Sequence, residues 1–439
     1  MTAEIAIMNK QAVALAADSA ITYGPKIYNS ANKLFVLSTK APVGIMIYNN
    51  AEFLGVPWET LIKYYRNNIL VDKRYDSLEN YVKDFLRFIQ TSNEFFPLKI
   101  QRKEFERNIY EKLTHIRKKA LQNIKERFEA KKKDESIDKS QINQIITETI
   151  DEIHKYLSGL DNLPNVSKIV IAKIRTSYGK IIRDNIKSIF SFVRISNTVK
   201  KQLEDISIFV VTKGVVPDYS GIVIAGFGEK EIFPNLYCFH VISKLNGRLF
   251  VEEVQSINVN HDNAAFIRPF AQDEMPKTFM EGIDPTQREH IMSTIQENIL
   301  YNYNESVIDF ISHEISTKGI NNFNLKALEN KLEAFTKDVN TELEQDWQDY
   351  RQHEHVNPVM EAVGALPIDE LASMAESLIN LTSLKRKMSL NQMETVGGPI
   401  DVAVISKEDG FIWINRKHYF KPELNYQYFA RKNLQIRGA

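Results

Sequence analysis

A single cysteine, Cys238, stands among 439 residues. That excludes an internal disulfide and fits a reducing compartment. Cys238 lies in the apolar run Leu236-Tyr237-Cys238-Phe239 and reads as core packing. Long apolar runs are missing too: none reaches the roughly 20 residues of a membrane-spanning helix, and no signal peptide opens the chain. The expectation is a soluble, cytoplasmic protein with no membrane partner. Charge of one sign is also absent. The 56 Lys and Arg balance 56 Asp and Glu, so there is no global pull toward nucleic acid or anionic lipid. Metal-ligand clusters are scarce. His353-Glu354-His355 is the nearest, but residues two apart do not share a helix face, and a solvated segment is expected with no metal. Gly226-Phe227-Gly228 lacks the third glycine of a dinucleotide loop and reads as a turn between strands. No internal repeat is visible.

What is present begins with strands. Glu4-Ile5-Ala6-Ile7-Met8 alternates, Asn9-Lys10 is a turn, and Ala12 to Ala17 is an apolar run short enough for a buried strand. A hairpin of the two returns Asp18 to the sheet end at which Thr2 lies. A second hairpin pairs Lys33–Leu37 with Val43–Tyr48 through Pro42. A helix is expected from about Ala51. Residues 51–205 read as helical: Tyr81, Val82, Phe85, Phe88 and Ile89 form one apolar stripe. Arg102 to Lys133 has no Gly or Pro and suits a long exposed helix, with a hinge at Lys131–Ser136. Residues 206–260 are expected to return to strands, at Ile206–Val211, Ile222–Ala225, Leu236–Ile242 and Leu249–Val254.

Phe270-Ala271-Gln272-Asp273 reads as a helix start. Asp284-Pro285 reads as an N-cap with Pro at the first helical position, opening a helix toward Ser316. More helix follows to about Arg351. Leu371, Met374, Ala375, Leu378, Leu381 and Thr382 mark a helix ahead of a closing hairpin, which turns at Asp409-Gly410 between Val402–Ile405 and Phe411–Ile414. From Lys168 to Lys201, nine Lys and Arg face one acidic residue, Asp184. The interleaved isoleucines favour an amphipathic helix with a basic outer face over a nucleic-acid surface.

The chemistry-bearing residue is Thr2. Removal of Met1 by methionine aminopeptidase would leave Thr2 with both a hydroxyl and a free α-amine. That amine has a reference pKa of roughly 7.7–8.0, so a useful fraction is neutral at pH 7. It can accept the hydroxyl proton, which makes one residue both nucleophile and base.

The stretch from Thr2 to about Glu59 resembles the start of a proteasome β subunit or of bacterial HslV, which are N-terminal-nucleophile (Ntn) hydrolases. Ala16-Ala17-Asp18-Ser19 matches the family's Ala-Ala-Asp-Ser segment, and Tyr28 to Leu34 matches the segment that delivers its catalytic lysine. Val43-Gly44-Ile45-Met46 matches the next strand. Near the C-terminus, Glu394 to Asp401 followed by Val402–Ile405 matches the family's Ser-Gly-Gly turn and closing hairpin. There are departures. The Ser of that turn falls at Val396, and the Asp before it near Met393 or Glu394. The nearest counterpart of a Gly-Ser-Gly segment is Phe270–Asp273. The glycine whose N–H forms the oxyanion hole falls at Tyr48.

The resemblance implies an α+β fold: a four-layer αββα sandwich with long helical insertions. Its core would be residues 1–70 and 206–439, with a helical insertion at 71–205 and a second extension at 319–365. It implies a threonine peptidase or amidase in which Thr2 attacks, Lys33 lowers the pKa of the amine, Asp18 orients Lys33, and the Tyr48 N–H receives the oxyanion. Ile21, Met46 and Asn50 would line the substrate pocket, and Val396-Gly397-Gly398 would be the supporting turn. No cofactor is implied. The implied partners are a peptide or protein substrate, further copies of the chain, and an ATP-driven unfoldase. Two other readings stay open: an inactive scaffold that binds a partner through its helical insertions, and an Ntn amidase for a small molecule.

Overall fold

The computed structural model describes residues 3–23, 26–129, 138–216, 218–319, 323–389 and 396–430. Thr2, the expected hinge at Lys131–Ser136, and Met393, Glu394 and Thr395 lie outside the described residues.

In chain order, the first strands are β1 (Ala3–Asn9), β2 (Ala12–Ala17), β3 (Ile21–Tyr23), β4 (Lys26–Tyr28), β5 (Leu34–Val36), β6 (Val43–Asn49), β7 (Glu52–Phe53) and β8 (Val56–Pro57). Helices α1 (Trp58–Tyr64), α2 (Leu78–Thr91), α3 (Leu98–Glu129), α4 (Lys139–Gly159), α5 (Lys168–Ile189) and α6 (Asn197–Thr212) follow. Then come β9 (Ser220–Gly226), β10 (Asn235–Leu245), β11 (Arg248–Asn258) and β12 (Ala265–Ala271). Helices α7 (Glu274–Glu281), α8 (Pro285–Thr294), α9 (Asn302–Lys318), α10 (Leu325–Arg351), α11 (Asn357–Ala365) and α12 (Ile368–Met388) precede β13 (Asp401–Ser406) and β14 (Gly410–Asn415). The chain is thus mixed α and β, and it divides into two compact units.

The first unit comprises Met1–Ala31, Val259–Val404 and Trp413–Ala439. Its sheet runs β12-β1-β2-β13-β14. In β1, Glu4 stands opposite Ala17 of β2 and Phe270 of β12. Alternation sends Ala3, Ile5 and Ile7, with Ala12, Ala14 and Ala16, to one face, where Leu371, Ala375, Leu378 and Ile379 of α12 pack on them. The small alanine side chains on β2 give the helix room to lie close. Asn9 ties the hairpin down: its Oδ1 accepts from the Gln11 and Ala12 N–H groups, and its Nδ2 donates to the Val363 and Leu366 carbonyls. The Asn9 turn is therefore set by hydrogen bonds rather than by glycine. Helices α8 to α10 differ from the rest of the unit in burying almost nothing; among their described residues only Thr336 is buried. The Asp284 cap holds as expected, with its carboxylate accepting from the Thr286 and Gln287 N–H groups.

The second unit comprises Asn32–Asn258 and Ile405–Ile412. Its sheet runs β11-β10-β9-β6-β5, antiparallel throughout the pairings described. Ile45, Ile47, Ile222, Ile224 and Val241 on one face pack with Trp58 and Leu61 of α1 and Phe85 and Ile89 of α2. Helices α3 to α6 share a separate apolar cluster that includes Ile109, Ile146, Tyr178, Ile182, Leu203 and Val210.

Three expectations need correction. Ile206–Val211 is not a strand but the C-terminal half of α6. The run has strong strand propensity, but Val199, Leu203, Ile206 and Val210 recur at helical spacing and are buried. Burial of that stripe outweighs a propensity difference worth only tenths of a kcal/mol per residue. The helix expected from about Ala51 begins at Trp58, after the short β7–β8 pair. Ahead of α7, Ala265–Ala271 is a full strand, β12, that the reading had not foreseen; helix begins only at Glu274.

Among the described residues, no helix is long and apolar enough to cross a membrane, and no group of three or more His, Cys, Asp and Glu could hold a metal.

Candidate active site

The β1–β2 hairpin closes on Asp18. The Asp18 N–H donates to the Ala3 carbonyl at 3.1 Å, and the Ala3 N–H returns a bond to Asp18 Oδ1 at 3.1 Å. Asp18 Oδ2 accepts from the Ala20 N–H at 3.2 Å and from the Gly397 N–H at 2.9 Å. A carboxylate only 1% exposed thus collects three backbone donors, and charge-assisted bonds of this kind are the strong ones. The residue pinned by the first bond is the one directly after Thr2. Asp18 therefore fixes the chain one covalent link from the candidate nucleophile.

The turn from Val396 to Pro399 completes this corner. The Ser19 N–H donates to the Gly397 carbonyl at 3.1 Å, and Ser19 Oγ donates to the Pro399 carbonyl. The two glycines are not equivalent. Gly398 has φ +77°, and a Cβ there would meet Asn29 Cβ at 2.8 Å and Asn29 O at 2.9 Å. A Cβ on Gly397 would find only Ser383 Oγ at 3.9 Å. Gly398 is thus demanded twice, by backbone conformation and by space. Val396 is fully buried with the apolar side chains of α12 and contributes core packing. Ile21 opens β3, half-buried, opposite Tyr28. Phe270–Asp273 contributes a different feature. Gln272 is bonded to Arg386, and Lys385 bridges Glu274 at 2.6 Å and Asp284 at 2.8 Å. That contact with Lys385, joined by the Thr286 bonds, holds the Asp284 carboxyl well below the usual range.

Lys33, Met46, Tyr48 and Asn50 belong to the second unit. Lys33 is buried, and its carbonyl accepts the Ile47 N–H at 2.8 Å. Met46 is fully buried, facing Leu34 on one side and Val223 on the other. Asn50 Oδ1 accepts from the Glu52 N–H at 3.2 Å, a side-chain turn leading out of β6.

Tyr48 bears on the expected oxyanion donor. It pairs with Gly221 in the β6–β9 ladder. Ile47 donates on the β5 side, so strand alternation turns the Tyr48 N–H toward β9. That N–H is directed into the sheet, and an oxyanion would have to compete with the ladder for it. The side chain is held as well. Its hydroxyl lies 2.9 Å from His240 Nε2 and 3.3 Å from Cys238 Sγ. Its ring fills the space over Gly221, where a Cβ would fall 2.1 Å from Tyr48 Cζ. Tyr219 lies against His240, tilted by 34° with 3.9 Å between ring centroids, and its carbonyl accepts from Asn49 Nδ2 at 2.8 Å. Burial pushes His240 down from 6.5 to about 4, so it is neutral at pH 7. Cys238 therefore does more than pack in a core: it flanks a buried hydroxyl. Sequence reading missed His240 and Gly221. The available signal was a bulky ring on a buried strand at Tyr48, which needs a small residue opposite it on a neighbouring strand.

No family model matches the chain, and no curated protein matches it. Solved structures do match it in part. One is described as a helical assembly of the Anbu complex from Pseudomonas aeruginosa, with 8% identity, TM-score 0.32, and coverage of 100% of this chain and 96% of the other. Another is Anbu (ancestral beta-subunit) from Yersinia bercovieri, with 10% identity, TM-score 0.28, and coverage of 99% and 96%. A third is a Gly-1 mutant of Anbu from Hyphomicrobium sp. strain MC1, with 8% identity, TM-score 0.30, and coverage of 100% and 96%. Likeness at this level leaves function to be argued from the chain's own residues. The assignment to proteasome β subunits or HslV is corrected by these matches, which are to Anbu proteins instead.

Proposed function

We propose that the chain is an N-terminal-nucleophile hydrolase that cleaves amide bonds in peptides, with Thr2 as nucleophile once Met1 is removed. The supporting observation is the Asp18 corner, where a buried carboxylate binds the backbone of Ala3, adjacent to Thr2, and of Gly397. A strand end tied down this tightly gives the first residue a fixed direction, which nucleophilic attack requires.

In this reading Thr2 Oγ attacks the substrate carbonyl, and the Thr2 amine takes the hydroxyl proton, directly or through one water. Lys33 is the cation that lowers the pKa of the amine. Breaking of the C–N bond releases the amine product, which receives that proton, and leaves an ester on Thr2. Water then hydrolyses the ester and restores the hydroxyl. Ile21, Met46 and Asn50 remain the proposed pocket. The oxyanion donor is left unassigned, because the Tyr48 N–H is turned into the sheet. The reading carries with it a four-layer αββα arrangement, a core of residues 1–70 and 206–439 with helical insertions at 71–205 and 319–365, a cytoplasmic location, assembly with further copies, and delivery of substrate by an ATP-driven unfoldase.

A second reading, an inactive scaffold, draws on Val396 in place of a hydroxyl and on the engaged Tyr48. Intact-mass and N-terminal peptide analysis separates the two, with and without a threonine-directed β-lactone. The hydrolase reading expects loss of Met1 and an adduct confined to Thr2, absent in Thr2→Ala. Retained Met1, or a free Thr2 that does not react, sinks it in favour of the scaffold.

A further inference from the structure

The second unit holds a cavity of about 790 Å³ on the outer side of α3. Tyr110, Glu111, Lys112, Thr114, His115 and Lys118 form its helical wall, and Gly214, Val215 and Val216 form the other wall. The volume is that of a site for a small organic molecule. Val216 is buried and Val215 half-buried, so the loop wall is apolar.

Lys112 is the unusual member. It is half-buried, and burial pushes its ammonium down from the ordinary lysine value, with no opposing contribution from a carboxylate. Among the described residues it has neither an ion-pair nor a hydrogen-bond partner. A partly desolvated cation without a counter-charge is destabilising, and its surroundings favour an anion that supplies one. The neighbouring Glu111 does not fill that role, since it lies against Arg107 at 3.6 Å. Glu111 also sets the charge of the ligand. One half-buried ammonium and the Thr114 hydroxyl suit a single negative charge, whereas a phosphate dianion would meet repulsion from Glu111. Lys118 is exposed and supplies only a screened positive field.

We propose that this cavity binds an amphipathic monocarboxylate, with its carboxylate on Lys112 and its hydrocarbon body against Val215 and Val216. The site lies wholly within the second unit and does not depend on the catalytic reading of Thr2.

Calorimetric titration of the full chain with decanoate tests it, with decanol and inorganic phosphate as separate titrants. Decanoate is expected to bind, decanol weakly, and phosphate not at all. Lys112→Met should weaken decanoate by at least about tenfold, the usual range for loss of a hydrogen bond to a charged group, and leave decanol unchanged. Lys112→Arg should retain binding. Val215→Trp, which fills the hydrocarbon side, should abolish binding with Lys112 intact. Decanoate that fails to bind at millimolar concentration, equal affinity in folded Lys112→Met, or decanol or phosphate binding as tightly as decanoate would each overturn the proposal.

Discussion

Two buried polar clusters, one in each unit, are built on opposite plans. In the first unit a single carboxylate, Asp18, gathers backbone N–H groups from Ala3, Ala20 and Gly397. In the second, side chains bond to side chains: Tyr48 to His240 and Cys238, with Tyr219 packed at a tilt against the imidazole. The first cluster positions main chain, the second positions a ring. Backbone donors survive any side-chain change short of proline, so the Asp18 corner rests on one replaceable side chain. The Tyr48 cluster spreads its contacts over several and should lose them piecemeal.

The sharpest way to break the first cluster is Asp18→Asn. The amide keeps the shape but turns an NH2 group toward one of the three N–H donors, leaving that donor buried and unpaired. Each such loss costs about 1–3 kcal/mol, more where a charge was involved. A destabilisation of roughly 3 kcal/mol is expected in chemical denaturation. Labelling of Thr2 by a β-lactone should fall by about a hundredfold, as is typical when an attacking group is misplaced by an ångström. Labelling at the wild-type rate would show that Asp18 is structural only.

The second cluster has its own weak point in a residue with no side chain. A Cβ on Gly221 would fall 2.1 to 2.4 Å from three atoms of the Tyr48 ring. Gly221→Ala must therefore displace the ring and break its bond to His240. Overpacking of this kind costs about 1–3 kcal/mol. If the clash with the ring is the cause, Gly221→Ala combined with Tyr48→Ala should be more stable than the sum of the two single changes predicts. Strict additivity in denaturation experiments would sink that account.

The same contrast explains what could be read from sequence. The β1–β2 hairpin and the Gly397-Gly398 turn use short motifs whose residues are fixed by backbone geometry, so they were visible as Ala16-Ala17-Asp18-Ser19 and Val396-Gly397-Gly398-Pro399; the bonds from Asp18 to Ala3, Ala20 and Gly397 had no such signal. The Tyr48 cluster joins residues about 190 positions apart, and neither His240 nor Gly221 carries a local signature. Helices of regular amphipathic pattern, such as α2, were legible from spacing. The end of α6 was not, because Ile206–Val211 is apolar but for Ser207 and rich in strand formers, and its helical state is decided by the neighbours it packs on. β12 was hidden because Pro269 lies within it and argues against a strand; it is tolerated because β12 is an edge of its sheet, with only β1 beside it.

The smallest expected effect, and the finest test of the contrast, is on pH dependence. His240 has its pKa lowered from 6.5 to about 4 by burial. Glu252, 3.8 Å from Nδ1 and about half exposed, does not offset this, because water screens it. Between those two pH values the unfolded chain binds the proton and the folded chain does not. Folding is therefore most favoured above about pH 6.5 and loses stability as the pH falls toward 4, below which both states are protonated and the full cost applies. The full shift corresponds to roughly 3 kcal/mol, and the part of the imidazole still in contact with water lowers it to about 1–2 kcal/mol. His240→Gln keeps a polar group within reach of the Tyr48 hydroxyl but cannot titrate. Its stability difference between pH 7 and pH 4, measured in urea, should be smaller than that of wild type by this amount. Asp18→Asn offers no such relief, because it removes a carboxylate and leaves His240 in place. An unchanged pH dependence in His240→Gln would mean that the imidazole already reaches water, and that the Tyr48 cluster is wetter than its geometry implies.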